Sequence, residues 1–346
     1  ADGVRETERL DHRWLGQRQR RIERKEATPL GVHYRFADLV LRSDVTLTEL
    51  PPARPGPAEC RVCVARPAAG TTERWDHHWT SRGEISISCA RDGDDYRIGM
   101  PGLAAFRIER DGAAVTCEPS AGLPGDTLEH LLIDQVLPRV LAQRGRLVIH
   151  AGCVISTHGA VGFLGDSGTG KSTLCAAFVR AGHPLLADDT VIIRMGRSGD
   201  FEALASYPGL RLLPSPLSEL FDESAGGGRV AHYTEKRRLR HRHPGFTVAE
   251  GPVALRALYL LAEGNSIDVV PLADRDAFMA LLSASFQLHL DDPGRSQALF
   301  ERIGSLQAAI PIRRLIYPRR FAHLPAVVDA VLADAGERSV ALLDAG

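Results

Sequence analysis

The chain has 346 residues, of which 44% are hydrophobic and 25% charged, and its formal net charge is -1. That length favours two domains, or one large domain with an appendage, and the proportions exclude a disordered or collagen-like chain. The near-neutral balance gives no reason to expect a nucleic acid or an acidic membrane surface as a partner, so function has to be read from sites.

Residues 1–30 are polar and carry no hydrophobic signal segment. No apolar run in the chain approaches the roughly eighteen residues that a membrane span needs, so the expectation is a soluble, cytoplasmic protein. The arm reads as frayed or partly helical, with Arg18, Arg20, Arg21, Arg24 and Lys25 forming a solvated basic face. Six scattered cysteines suit a reducing compartment. The pair Cys60 and Cys63 in "ECRVCVAR" lacks a second pair or a histidine cluster to complete a zinc site, and strand alternation would point the two thiols to opposite faces.

Residues 31–143 form the next unit: short strands such as "VHYRFADLVLRS", "EISISCA", "DYRIGM" and "AAFRIER", separated by Pro, Gly and Asp. This predicts an antiparallel, β-rich N-terminal domain. It closes with a helix in "GDTLEHLLIDQVLPRVLAQRG", where Leu128, Leu131, Leu132, Val136, Val140 and Leu141 recur at helical spacing. Asp126 and Glu129 stand in capping-box positions, and Pro138 is expected to kink or divide the helix.

Residues 144–346 change character. "RLVIHAGCVIS" and "AVGFLG" carry little polar alternation, as in strands covered on both faces. Gly165-Asp166-Ser167-Gly168-Thr169-Gly170-Lys171-Ser172 fits the GxxxxGK[ST] pattern between an apolar strand and a helix that opens with Thr173. Glycines let backbone wrap phosphate oxygens, and free amides at a helix start attract negative charge. Residues 165–173 are therefore the cofactor-binding set, with Lys171 on the β- and γ-phosphates of ATP or GTP and Ser172 on Mg²⁺.

After Gly182, "HPLLA" leads as a strand into Asp188 and Asp189. One carboxylate can serve Mg²⁺ while the other takes a proton from an attacking hydroxyl; spacing alone leaves open which does which. His150, expected on the strand before the loop strand, can pair with a carboxylate or a phosphate. "YPGLRLLPSPLSELF" reads as strand and turn. Residues 222–244 then read as a mobile basic loop, with Gly226-Gly227-Gly228 as hinge and Lys236 and Arg237 as cations that close on the transferring phosphoryl group. Beyond it, "ALRALYLLAEG", "IDVVPLA" and "IPIRRLIYP" read as strands, and "RDAFMALLSASF" and "LPAVVDAVLADAG" as helices.

The stretch from Ile149 to Ile193, with "HAGCV", "GFLGDSGTGKST" and "RAGHPLLADD", resembles the catalytic core of the HPr kinase/phosphorylase family in its divergent HPr kinase-like branch. The order of loop, helix, strand and acid pair is also similar to the nucleotide core of ATP-dependent phosphoenolpyruvate carboxykinase. The resemblance implies an α/β fold with a P-loop kinase core of that type. It also implies Lys171, Ser172, Asp188, Asp189 and His150 as the phosphotransfer site, a "KR" at Lys236 and Arg237, an oligomer, and a hydroxyl acceptor on a peptide or protein. Thr173 stands where the bifunctional enzymes carry an acid, and "SYPGLRLLP" replaces their signature, so phosphorylase activity and HPr itself are not expected. "YRFADLVLRSDVTLTELPPA" resembles HPr kinase-like proteins of peptide-modifying gene sets, among which lasso-peptide precursor kinases act on a peptide hydroxyl. A small-molecule hydroxyl kinase and a nucleotide-sensing scaffold without turnover are the alternatives.

Overall fold

The computed structural model describes residues 31–66, 74–81, 84–221, 225–239, 248, 251–288 and 292–343. The N-terminal arm and its basic cluster lie outside the described residues. Eight strands come first: β1 (Val32–Phe36), β2 (Leu39–Ser43), β3 (Cys60–Val64), β4 (His77–Ser81), β5 (Glu84–Asp92), β6 (Asp95–Met100), β7 (Ala104–Ile108) and β8 (Ala114–Pro119). They form one sheet in the order β1-β2-β3-β8-β7-β6-β5-β4. Alternating residues such as Leu39, Leu41, Ile98, Phe106, Ile108 and Val115 are buried on one face.

The sheet is mixed rather than antiparallel, because β3 runs parallel to both β2 and β8. The proline-rich connector from residue 44 to 59 makes this geometry accessible, since parallel neighbours need a long crossover where a hairpin will not do. Cys60 is buried and Cys63 exposed, as alternation along β3 requires, and both thiols are free.

The closing helix is α1 (Gly125–Leu131), a π turn at Leu132–Val136, and α2 (Leu137–Gln143). The widened turn stands directly before Pro138, whose missing N–H cannot serve the carbonyl one turn earlier. All six leucines and valines of the helical stripe are buried. The capping box does not form: Pro124 is the N-cap and no side chain caps it. Glu129 instead accepts hydrogen bonds from the Thr48 hydroxyl at 2.9 Å and the Glu49 amide at 2.7 Å.

The second half contributes β9 (Leu147–Ile149), β10 (Gly152–Ser156), β11 (Gly159–Leu164), α3 (Lys171–Arg180), β12 (Leu185–Ala187), β13 (Val191–Met195) and β14 (Phe201–Ala205). It continues with β15 (Arg211–Leu212), α4 (Pro214–Leu220), β16 (Gly226–Arg229), β17 (Arg237–Leu239), β18 (Val253–Glu263), β19 (Asp268–Pro271), α5 (Asp274–Ala284), α6 (Pro293–Ala309), β20 (Ile312–Tyr317) and α7 (Leu324–Leu343). Its main sheet runs β12-β10-β11-β18-β14-β13-β9, with β20 also on β18 and β19 on β20. β11, β18 and β20 are parallel, and β10 and β11 are buried on both faces. Helix α3 crosses β10 so closely that a Cβ at Gly152 would meet Cys175 Sγ at 2.6 Å. The chain is thus a mixed α/β protein with two large sheets.

Two elements depart from the sequence reading. Helix α4 replaces the turn expected after the short strand β15, because Pro214 takes the N1 position, where its fixed φ and absent N–H suit a helix. Helix α6 was not anticipated; Asp292 caps it by accepting from the Arg295 amide at 3.1 Å. Among the described residues, no helix is long and apolar enough to cross a membrane.

The two halves share a continuous core, in which Val148, Ile192, Leu204, Tyr207 and Phe286 pack with residues of the first sheet. At its polar centre lies Arg211, fully buried. Its guanidinium donates to both carboxylate oxygens of Glu49 at 3.0 Å, binds Asp134, and stacks on the Tyr207 ring at 4.8 Å. Burial alone would push the Asp134 carboxyl up, but Arg211 and His130 outweigh it and hold the group well below the usual range.

Asp134→Asn leaves Arg211 short of one anion and should cost about 3–5 kcal/mol at pH 7. Since the folded pKa lies below the unfolded one, the pair's contribution is complete above about pH 4 and disappears as pH falls through the folded value. Urea unfolding from pH 3 to 7 should therefore show a parent advantage that shrinks toward acid; a constant difference would rule out the ion pair as its source.

Candidate functional site

Strand β11 ends at Leu164 and α3 begins at Lys171, so residues 165–170 form the loop between them. Gly165, Gly168 and Gly170 have φ values of 143°, 84° and 100°, in the region that favours glycine. Thr169 closes the loop, its hydroxyl donating to the Asp166 carbonyl at 2.8 Å. Lys171 folds back over it, its Nζ donating to the carbonyls of Gly165 at 2.7 Å and Asp166 at 2.9 Å. Burial lowers the Lys171 pKa, against the pull of Asp189 and Asp188. The first amides of α3 have no acceptor within the helix, which makes this end an anion site in principle. Thr173 is half-buried on the same turn.

Asp188 and Asp189 follow β12 and diverge. Asp188 is fully buried: one carboxylate oxygen accepts from the Ser172 hydroxyl at 2.9 Å, the other from the Arg211 amide at 3.0 Å. Burial, and then the charge of Asp189, push Asp188 up to about 7. Asp189 has a φ of 67°, a left-handed conformation uncommon outside glycine. Lys236 Nζ lies 3.9 Å from the Asp189 carboxylate. Burial opposes ionisation of Asp189, yet the Lys236 charge prevails and holds it down. The two acids are shifted in opposite directions, so a proton bound by the pair favours Asp188 over Asp189.

His150 is not on a strand, since β9 stops at Ile149 and β10 starts at Gly152. Its Nδ1 lies 2.8 Å from the Asp189 carbonyl oxygen, which only accepts, so Nδ1 carries a proton and donates it. The expected partner was a carboxylate or a phosphate; the observed one is the backbone that makes the left-handed turn. Burial lowers the His150 pKa, leaving a neutral ring with a lone pair on Nε2.

The glycine hinge is absent. Gly226–Arg229 is strand β16, paired with β17, which in turn pairs with β15 in a three-stranded sheet. Alternation turns Lys236 and Arg238 inward and leaves Arg237 exposed. Lys236 therefore already stands at Asp189, whereas Arg237 is not brought to the site. Residues 222–224 and 240–244 of the expected loop lie outside the described residues. Arg211 was missed altogether, although an arginine between Leu210 and Leu212, all three buried, is an unusual pattern.

Lys171, Ser172, Asp188, Asp189, His150 and Lys236 thus converge at one place. No known family model matches this sequence, and no curated protein does. Among solved structures the chain is similar to the Hpr(Ser) kinase/phosphatase from Coxiella burnetii, at 14% identity and a TM-score of 0.31, over 57% of this chain and 94% of that one.

No group of three or more His, Cys, Asp and Glu among the described residues forms a cage for a metal. The Ser172 hydroxyl with the Asp188 carboxylate is instead the sparse oxygen set that suits Mg²⁺ when phosphates and waters complete its shell. A separate cleft of about 1090 Å³, bounded by Met195, Phe201 and Arg302, includes none of these residues.

Two adjacent acids, one fully buried and one half-buried, are a stability cost that a site can retain for function. In Asp188→Asn the amide oxygen can accept from Arg211 and the NH₂ can donate to Ser172, so both bonds survive without the second charge. At pH 8 without nucleotide, scanning calorimetry should show a melting temperature raised by about 1–2 °C, the response of a chain this long to roughly 1 kcal/mol. A lower melting temperature would show that Asp188 is not the disfavoured charge.

Proposed function

We propose that the chain is a Mg²⁺- and ATP-dependent kinase that transfers the γ-phosphate to a hydroxyl of a peptide or protein, with GTP as the alternative donor. The observation that carries this reading is one glycine loop bearing a buried lysine beside two acids in unlike settings. Asp188 is bonded to Ser172 in the first turn of α3, and Asp189 is held as an anion beside a second lysine. A site that only sensed nucleotide would need the first acid and not the second. The resemblance of residues 149–193 to HPr kinase-like proteins supports a peptide or protein acceptor.

In this reading Lys171 exchanges the Gly165 and Asp166 carbonyls for phosphate oxygens, while the loop amides hold the nucleotide's phosphates. Ser172 and Asp188 would hold Mg²⁺, which when bound neutralises charge on the β- and γ-phosphates. Asp189 accepts the proton of the acceptor hydroxyl. The acceptor oxygen then bonds the γ-phosphorus while the bond to the β–γ bridging oxygen breaks and ADP leaves with that electron pair. As Asp189 becomes neutral, Lys236 loses its partner and is free to meet the phosphoryl oxygens. His150 keeps the Asp189 turn in place throughout.

The test incubates the full chain with Mg·ATP and hydroxyl-bearing peptides and reads phosphate addition by mass spectrometry. Lys171→Ala should weaken nucleotide binding about a hundredfold by calorimetry, consistent with loss of a buried charged contact of about 3 kcal/mol. Asp189→Asn should keep Mg·ATP affinity within a few-fold and cut turnover about a hundredfold or more, the scale of a lost general base. Parent-like turnover in Asp189→Asn would sink the assignment of the base.

A further inference from the structure

Glu49 lies in a turn of the first half, at Leu47–Leu50, and touches none of the groups assigned to phosphate transfer. Its position is nevertheless strongly specified. Glu129 of α1 holds the turn by accepting from the Thr48 hydroxyl and the Glu49 amide. The Glu49 side chain, buried at 7% exposure, then meets two arginines from the second half. Arg211 binds both of its oxygens, and Arg238 Nε lies 2.9 Å from one of them as an ion pair off the N–H axis.

These arginines face each other across the β15–β17 pairing, Arg211 opposite Arg238. The backbone on each side continues into the site. The Arg211 amide holds the second oxygen of Asp188. Two residues before Arg238, Lys236 meets Asp189. One carboxylate therefore sets the register of both strands that serve the two acids. We infer that Glu49 is a positioning residue of this site: through Arg211 and Arg238 it holds Asp188 and Lys236 in place, so that the first sheet fixes the geometry at which the acids act.

The inference rests on the proposed kinase reading only for its activity arm, and a structural arm stands apart from it. Hydrogen exchange of the full chain, read by mass spectrometry, compares the segments 207–213 and 226–239 with strand β11 as internal control. Glu49→Gln keeps the shape and removes the charge. In it, exchange should rise about tenfold or more in both segments and stay at the parent level in β11, as for local opening. With Mg·ATP and a peptide acceptor, kcat should fall about ten- to a hundredfold and Mg²⁺-dependent nucleotide affinity should weaken, while binding of Mg²⁺-free ATP stays within about threefold, a split that loss of stability alone does not give.

Glu49→Asp keeps the charge one methylene short and should recover part of both losses. Arg238→Gln, which removes the contact to Glu49 together with hydrogen bonds to the Arg229 and Val230 carbonyls, should loosen 226–239 and leave 207–213 protected. If Glu49→Gln does not fold, Glu49→Asp decides the same point. Parent-like exchange in both segments, or exchange rising equally in β11, overturns the inference. A parent without phosphotransfer refutes the kinase reading instead, and the exchange result still decides the role of Glu49.

Discussion

A guanidinium with no access to water governs this molecule. Removing such a cation from solvent costs several kcal/mol unless anions and aligned acceptors surround it. Arg211 finds them only where three parts of the chain meet: Glu49 from the long connector of the first sheet, Asp134 from the π turn, and Tyr207 beside it in the second half. Neither sheet alone supplies the set. The first half is therefore no appendage, and the seam between the halves, which a surface groove would leave wet, is here a dry ionic junction flanked by a shared apolar core.

What Arg211 stabilises by its side chain, it passes on by its backbone. Its amide is one of two donors to Asp188, and the other is the serine that opens α3. Asp189 needs a different device, since a left-handed residue other than glycine is held only where its surroundings over-determine it. His150 provides this by bonding the Asp189 carbonyl, and the nearby Lys236 charge fixes the carboxylate. The two neighbours in sequence are thus controlled from opposite directions, one from the first sheet and one from the β9–β10 corner.

The glycine loop, α3, and the order of the acids were legible because each is a local pattern: positive φ needs glycine, and a helix start needs its free amides. The strands around them were legible from apolar runs. What could not be read was every contact made over long sequence separation. Glu49 and Arg211 are 162 residues apart, and no periodicity links them. Glu129 looked like a helix cap from its spacing, yet its carboxylate had a better use on Thr48 and Glu49. The triple glycine looked like a hinge by composition, but pairing with β17 overrode the glycines' freedom. Lys236 was found for the wrong reason, as part of a closing loop, whereas it directly precedes strand β17 and already stands at Asp189.

Charge balance explains why these contacts belong together. Five carboxylates, Glu49, Glu129, Asp134, Asp188 and Asp189, face four cations, Lys171, Arg211, Lys236 and Arg238, in one poorly solvated region. One negative charge is in excess, and it is least favourable on the group with no cation in direct contact. That group is Asp188, whose partners are a hydroxyl and an amide, and it is the acid whose pKa burial and Asp189 raise to about 7. The remaining anions each meet a cation. Counted this way, the region is neutral while Asp188 keeps its proton, and it carries one excess negative charge beside Ser172 when that proton leaves.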